Sequence, residues 1–163
     1  MMKIAVLYHS VSGTTKRMAE AICGGINSVD GVEGKAFPID NADAGYVGES
    51  RCIILGTPVY FASMSGEVKV WFEKTARQYG LAGKLGGAFA TADYVHGGGE
   101  IAIQSILGHM MVYGMMTYSG GGSYGKPVVH LGPVGIKEDI DSYTEVFRTY
   151  GRRMALKAAE LFG

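Results

Sequence analysis

Apolar runs of strand length alternate along this chain with segments in which apolar residues recur every three or four positions. That alternation builds a parallel sheet with helices on both of its faces, an α/β fold. The first run, Lys3 to Tyr8, is apolar without period-two alternation, as a central parallel strand covered on both sides requires. Met18, Ile22 and Ile26 then mark one face of a helix whose end Gly24 and Gly25 weaken. A second strand is predicted at Gly34 to Pro38, a short turn of helix around Ala42 to Glu49, and a third strand at Arg51 to Gly56, where Ile53, Ile54 and Leu55 stand in succession. Val68, Trp71, Phe72 and Thr75 define the next helix, capped by Ser65, favoured electrostatically by Glu67 and ended by Gly80. A fourth strand, Gly86 to Ala92, leads through a turn at Gly97 to Gly99 into a helix marked by Ile103, Ile106, Leu107 and Met110. The fifth strand is predicted at Met115 to Ser119, with Val128 to His130 as its continuation beyond a Gly-rich loop. Ile140, Phe147, Met154 and Leu161, with Tyr143 and Ala158 filling the stripe, trace the last helix.

Five strands joined by right-handed crossovers form an open doubly wound sheet, and ligands bind such sheets beyond the carboxyl ends of the strands. Three loops lie there: Tyr8 to Thr15, Thr57 to Ser65 and Thr91 to Gly99. The length, 163 residues, accommodates one domain spanning 1–163.

Composition narrows the class of partner. With 47% hydrophobic residues the chain is too apolar for disorder, yet it has no unbroken apolar run of the ~18 residues a membrane helix needs. Lys and Arg (15) cancel Asp and Glu (15), so no field of either sign points to nucleic acid or an acidic membrane surface. Binding must come from local sites. Glycine, at 26 residues, is far above its ordinary share, which implies many sharp turns or close backbone approaches. The apolar run Ile4 to Tyr8 is too short for a signal-peptide core. Cys23 and Cys52 belong to no metal-binding spacing, and both are expected as buried, reduced thiols in a cytoplasmic protein.

The first loop reads SVSGTT, Ser10 to Thr15, where a helix begins. A helix start presents free N–H groups and partial positive charge, Ser10, Ser12, Thr14 and Thr15 add hydroxyl donors, and Gly13 lets the backbone wrap an anion tightly. Hydroxyls without a buried lysine suit one terminal phosphate monoester. The competing reading is an ordinary hydroxyl-rich cap. ATP and GTP sites require GxxxxGK[ST], and neither Gly83-Lys84-Leu85 nor Gly125-Lys126-Pro127 completes it. His9 and Thr57 stand where a response-regulator receiver needs carboxylates, and the absence of Cys from SVSGTT excludes a low-molecular-weight tyrosine phosphatase. Gly120, Gly122 and Gly125 spell GxGxxG, but Pro127 and Val128-Val129 follow where a helix would have to open.

The second loop sets Pro58, Tyr60 and Phe61 at the rim of the sheet, and the third adds Tyr94 and His96 with three bare glycine N–H groups. Together they form a clamp for a planar, hydrogen-bonding ligand.

SVSGTT after the first strand resembles the FMN phosphate loop of flavodoxins, [ST]x[ST]GxT. GTPVYFASMSGEVKVWFEKT, GKLGGAFAT and the Gly97 to Gly99 turn resemble the matching segments of the WrbA-like NAD(P)H:quinone oxidoreductases, a flavodoxin branch. The resemblance implies a three-layer flavodoxin-like fold with strand order 2-1-3-4-5. It implies that Ser10, Ser12, Gly13, Thr14 and Thr15 hold the FMN phosphate, and that Pro58, Val59, Tyr60, Phe61, Ala62 and Ser63 flank the isoalloxazine. Thr91, Ala92, Asp93, Tyr94, His96, Gly97, Gly98 and Gly99 then meet its other edge, with Tyr94, His96 and Tyr113 shaping the substrate side. That branch carries Arg, Asn and His where this chain has Tyr60, Ser63 and Tyr113. The implied activity is hydride transfer from NAD(P)H through FMN to a quinone or similar small acceptor, in a dimer or tetramer and without metal. A flavodoxin-type electron carrier is the alternative.

Overall fold

The computed structural model describes residues 1–163. Its strands are β1 (Met2–Tyr8), β2 (Val32–Pro38), β3 (Cys52–Pro58), β4 (Leu85–Ala92), β5 (Met116–Thr117) and β6 (Val134–Ile136). The α-helices are α1 (Thr14–Ile26), α2 (Ala44–Glu49), α3 (Gly66–Lys74), α4 (Gly99–Val112) and α5 (Thr144–Phe162). Short 3₁₀ segments follow α3, at Ala76–Tyr79, and β6, at Lys137–Tyr143. All pairings are parallel, in the order β2-β1-β3-β4-β5, with β6 also on β4.

The side-chain period of two sorts the strand residues onto two cores. Ala5, Leu7, Ile53 and Leu55 pack with Val68, Trp71, Phe72, Ile103, Ile106 and Met110 from α3 and α4. Ile4, Val6, Cys52 and Ile54 face the other way, against Met18, Ile22 and Ile26 of α1 and Phe147, Tyr150 and Met154 of α5. The central strands read as unbroken apolar runs because both of their faces are covered. No helix is long and apolar enough to cross a membrane.

The fifth lane of the sheet departs from expectation. It is filled by two fragments: β5 lies beside the start of β4 (Leu85↔Met116), and β6 beside its end (Ala92↔Ile136). Val128 to His130 is not a strand. Val129 is buried in the α1/α5 core while Val128 is half exposed, so the apolar pair reflects one packed side chain. The continuation lies instead at Val134–Ile136, beyond Gly132 and Pro133.

α1 and α5 cross with their backbones in contact. A Cβ on Gly25 would come within 1.8 Å of the Arg148 carbonyl oxygen, and one on Gly151 within 2.1 Å of that of Ile22. Gly25 is thus the condition for this crossing, whatever it costs in helix propensity.

Lys84 is nearly buried and its ammonium caps the end of α2, donating to the carbonyls of Val47, Gly48 and Ser50 at 3.1, 2.6 and 2.7 Å. Burial, with help from Arg51, pulls its pKa down. Lys84→Met is expected to cost about 2 to 3 kcal/mol, because the carbonyls lose charged donors in a site closed to water; urea denaturation measures it.

Cys23 and Cys52 are free and buried. Burial pushes the Cys23 thiol up to about 12 and raises Cys52 as well. Neither is expected to react with a disulfide reagent at about pH 8 until the chain is denatured, when both will, since the thiolate is the nucleophile.

Candidate functional site

β1, β3 and β4 end at the same edge of the sheet, with Tyr8 opposite Gly56 and Pro58 opposite Thr91, so the three loops converge there. They enclose a cleft of about 210 Å³ lined by Ser12, Thr14, Thr15, Pro58, Tyr60 and Thr91, with Val11, Val59, Ala92, Asp93 and Lys137 completing its wall.

The first loop leaves its backbone donors open. Gly13 takes φ 92°, a left-handed conformation that favours glycine, and starts α1 without a side-chain cap and without an acidic residue in the first turn. The Gly13 N–H donates to Ser10 Oγ at 3.1 Å, which leaves the Ser10 hydroxyl hydrogen free to donate. Ser12 Oγ and Thr14 Oγ1 lie 3.2 Å apart. A helix start with neither cap nor carboxylate has its N–H groups and partial positive charge available to a ligand. Thr15 differs from its neighbours: it is buried, and its hydroxyl is paired with that of Thr91 at 2.7 Å, tying the first loop to the third across the cleft floor.

The second loop is strained. Tyr60 and Ser63 exchange backbone hydrogen bonds, each of 3.0 Å, in a two-residue hairpin whose central residues, Phe61 (φ 49°) and Ala62 (φ 56°), are both left-handed. Each costs about 1 to 2 kcal/mol relative to glycine. Phe61 is fully exposed. Strain of this kind persists only where the surrounding structure imposes it. The hairpin is braced from below: Val59 N–H donates to the Thr91 carbonyl, and Ser65 N–H to Thr57 Oγ1, at 2.8 and 2.9 Å.

The third loop closes against the second. Gly98 (φ 93°) precedes α4, and a Cβ there would lie 2.6 Å from that of Ala62. Thr91 and Ala92 are buried, Asp93 and His96 are exposed, Tyr94 is 74% exposed, and the Gly97 N–H donates to the Tyr94 carbonyl at 3.0 Å. Tyr94, His96, Gly97 and Gly98 lie with Phe61, Ala62 and Ser63 outside the lining of the cleft itself, and Gly99 is buried at the start of α4 against Val134.

Tyr113 is not brought to this cleft. α4 starts at the third loop and runs 14 residues, about 20 Å, to the opposite edge of the sheet. There the Tyr113 hydroxyl donates to the Phe72 carbonyl and its ring stacks on that of Phe72, with centroids 6.3 Å apart. His9, at the end of β1, turns away to the α3 side, where its Nδ1 and the Ser65 hydroxyl are hydrogen-bonded at 2.9 Å. Ser65 caps α3 by accepting from the Val68 N–H. Val11 and Lys137 are the two cleft residues outside the sequence-based set; Val11 lies between two residues of that set, while Lys137 follows β6, a short strand that the sequence pattern puts at Val128 to His130 instead.

A doubly wound parallel sheet with an uncapped, hydroxyl-rich helix start at its carboxyl edge defines a flavodoxin-like mononucleotide-binding protein. Residues 44–126 match the NADPH-dependent FMN reductase family, and the chain belongs to it. A protein of Clostridium saccharobutylicum named flavodoxin is 43% identical over 161 residues, covering 99% of this chain and all of the relative. An NAD(P)H dehydrogenase (quinone) of Syntrophobacter fumaroxidans is 28% identical over 204 aligned positions, covering 98% of each. The solved structure of a flavodoxin, WrbA-like protein from Agrobacterium tumefaciens superimposes with a TM-score of 0.77 at 23% identity, over 98% of this chain and 99% of that one, a likeness of fold.

Proposed function

We propose that the cleft binds FMN, with its phosphate at the start of α1 and its ring between the Tyr60–Ser63 hairpin and the third loop, and that the protein passes electrons from NAD(P)H to a quinone or similar small acceptor. The observation that carries this reading is the first turn of α1, free of cap and carboxylate, beside three hydroxyl side chains and facing a strained aromatic hairpin.

The residues fit the cofactor. Ser10, Ser12 and Thr14 supply hydroxyl donors to a phosphate monoester, and Gly13 admits it close to the backbone. Tyr60 and Phe61 offer flat apolar faces to the ring, and the Gly98 N–H, which has no partner within the loop, is open to its edge. Asp93 sets a carboxylate at the cleft wall, which disfavours anionic charge on a bound ring. Bound FMN would supply the redox chemistry, and the protein supplies placement and electrostatics.

Two observations favour a nicotinamide-driven reductase: the match to the NADPH-dependent FMN reductase family, and a net charge of zero, which provides no long-range attraction for a protein redox partner. The second reading, a carrier that exchanges electrons with protein partners, draws support from the 43% relative, which has this chain's length; the quinone dehydrogenase needs 204 aligned positions against 163 residues here, so it has segments this chain lacks.

Anaerobic mixing of the FMN-loaded protein with NADH or NADPH separates the two. Bleaching of the flavin absorbance within seconds, followed by recolouring on addition of a quinone, is expected. Bound flavin that stays yellow under both nucleotides but bleaches with dithionite would leave the carrier. A protein that does not quench FMN fluorescence would end both.

A further inference from the structure

We infer that Lys137 selects the phosphorylated form of the flavin at this cleft, an assignment that rests on the FMN reading above. The residue is 122 positions beyond Thr15 in sequence, yet both line the same cleft. The parallel pairing of β6 with the end of β4 brings it there: with Ala92 opposite Ile136, the next residue on each strand is Asp93 on one and Lys137 on the other. The segment is held from a second side by the ion pair between Asp141 and Arg17 of α1. Lys137 is therefore positioned by a strand pairing before it and a salt bridge after it.

The other cations of the region are occupied. Arg17 is engaged by Asp141, Lys16 leans toward Glu20 at 3.9 Å, and neither lines the cleft. Lys137 lines it and has no ion-pair partner. The neighbours Glu138 and Asp139 put negative charge on the Lys137 segment, which opposes a phosphate dianion. An ammonium among these groups offsets that repulsion and adds a charged donor to the neutral hydroxyls of Ser12 and Thr14. A flavin without phosphate gains nothing from it. Lys137 is thus a specificity residue for FMN over riboflavin, acting on a group remote from the redox-active ring.

The test is to titrate FMN and riboflavin into the flavin-stripped full-length protein and its K137M and K137R variants, following flavin fluorescence. K137M is expected to bind FMN roughly tenfold to a hundredfold more weakly and riboflavin within about twofold of wild type. K137R should retain most FMN affinity, and the wild-type advantage over K137M should shrink as salt rises from about 0.05 to 0.5 M. K137M binding FMN as tightly as wild type would overturn the assignment while leaving the FMN site intact. Equal losses for FMN and riboflavin would overturn it too, since that pattern marks a structural role. Wild type failing to bind FMN would overturn the site and the assignment together.

Discussion

Gly24→Ala is expected to stabilise the protein by up to about 1 kcal/mol, and Gly25→Ala, one residue along the same helix, to destabilise it by about 3 kcal/mol or more. On helix propensity alone both changes help, because alanine removes the entropic handicap of glycine. Position decides otherwise. Gly24 faces solvent, and a Cβ there meets only the Arg148 guanidinium, at an ordinary 3.8 Å. At Gly25 the new methyl would need the space of the Arg148 carbonyl oxygen, 1.8 Å away, and that oxygen belongs to a helix backbone that cannot yield alone. α1 would have to withdraw from α5, opening the core that Ile22, Met18, Phe147, Tyr150 and Met154 fill. Urea midpoints of the two variants give the comparison, and Gly25→Ala unfolding like wild type would mean that the helices do not cross at this distance.

Thr14→Asp is expected to act in opposite directions on stability and on binding. Aspartate in the first turn of a helix that has no acid there interacts favourably with the macrodipole, so the flavin-free protein should gain about 0.5 kcal/mol. The same carboxylate stands where the phosphate is assigned. Unit charges ~4 Å apart at an effective dielectric of ~20 repel by about 4 kcal/mol, so FMN affinity should fall by about a thousandfold. Thermal melts of the flavin-free protein read the first effect and fluorescence titration the second. Undiminished FMN affinity in this variant would remove the phosphate from the start of α1.

The lattice of the fold was legible because its physics is local. Ile53, Ile54 and Leu55 in succession can be satisfied only by a strand covered on both faces, and Met18, Ile22 and Ile26 only by a helix with one buried side. Ser65 capping α3 and the Gly97 to Gly99 turn ahead of α4 followed from the same local chemistry. The hydroxyl-rich, glycine-opened start of α1 was legible too, since its residues adjoin one another in sequence at a strand-to-helix junction. The left-handed pair Phe61–Ala62 was not, because neither residue type signals such a turn; the hairpin is imposed by Tyr60–Ser63 pairing and the bracing of its neighbours. The distance of Tyr113 from the cleft was not legible, because it depends on how far α4 runs, which a motif does not state.

By itself the sequence determined the α/β class, the central strands and their helices, and the hydroxyl-rich helix start, since each is a statement about which nearby residues are buried or which backbone groups lack partners. Tertiary structure alone decided that Gly25 is a contact point, that Thr15 turns inward to Thr91, and that a lysine carried by a three-residue strand reaches the cleft. Those outcomes depend on which distant segments touch. A strand as short as Val134–Ile136 takes its place from its β4 partner, because three residues of local propensity hold too little free energy to do so.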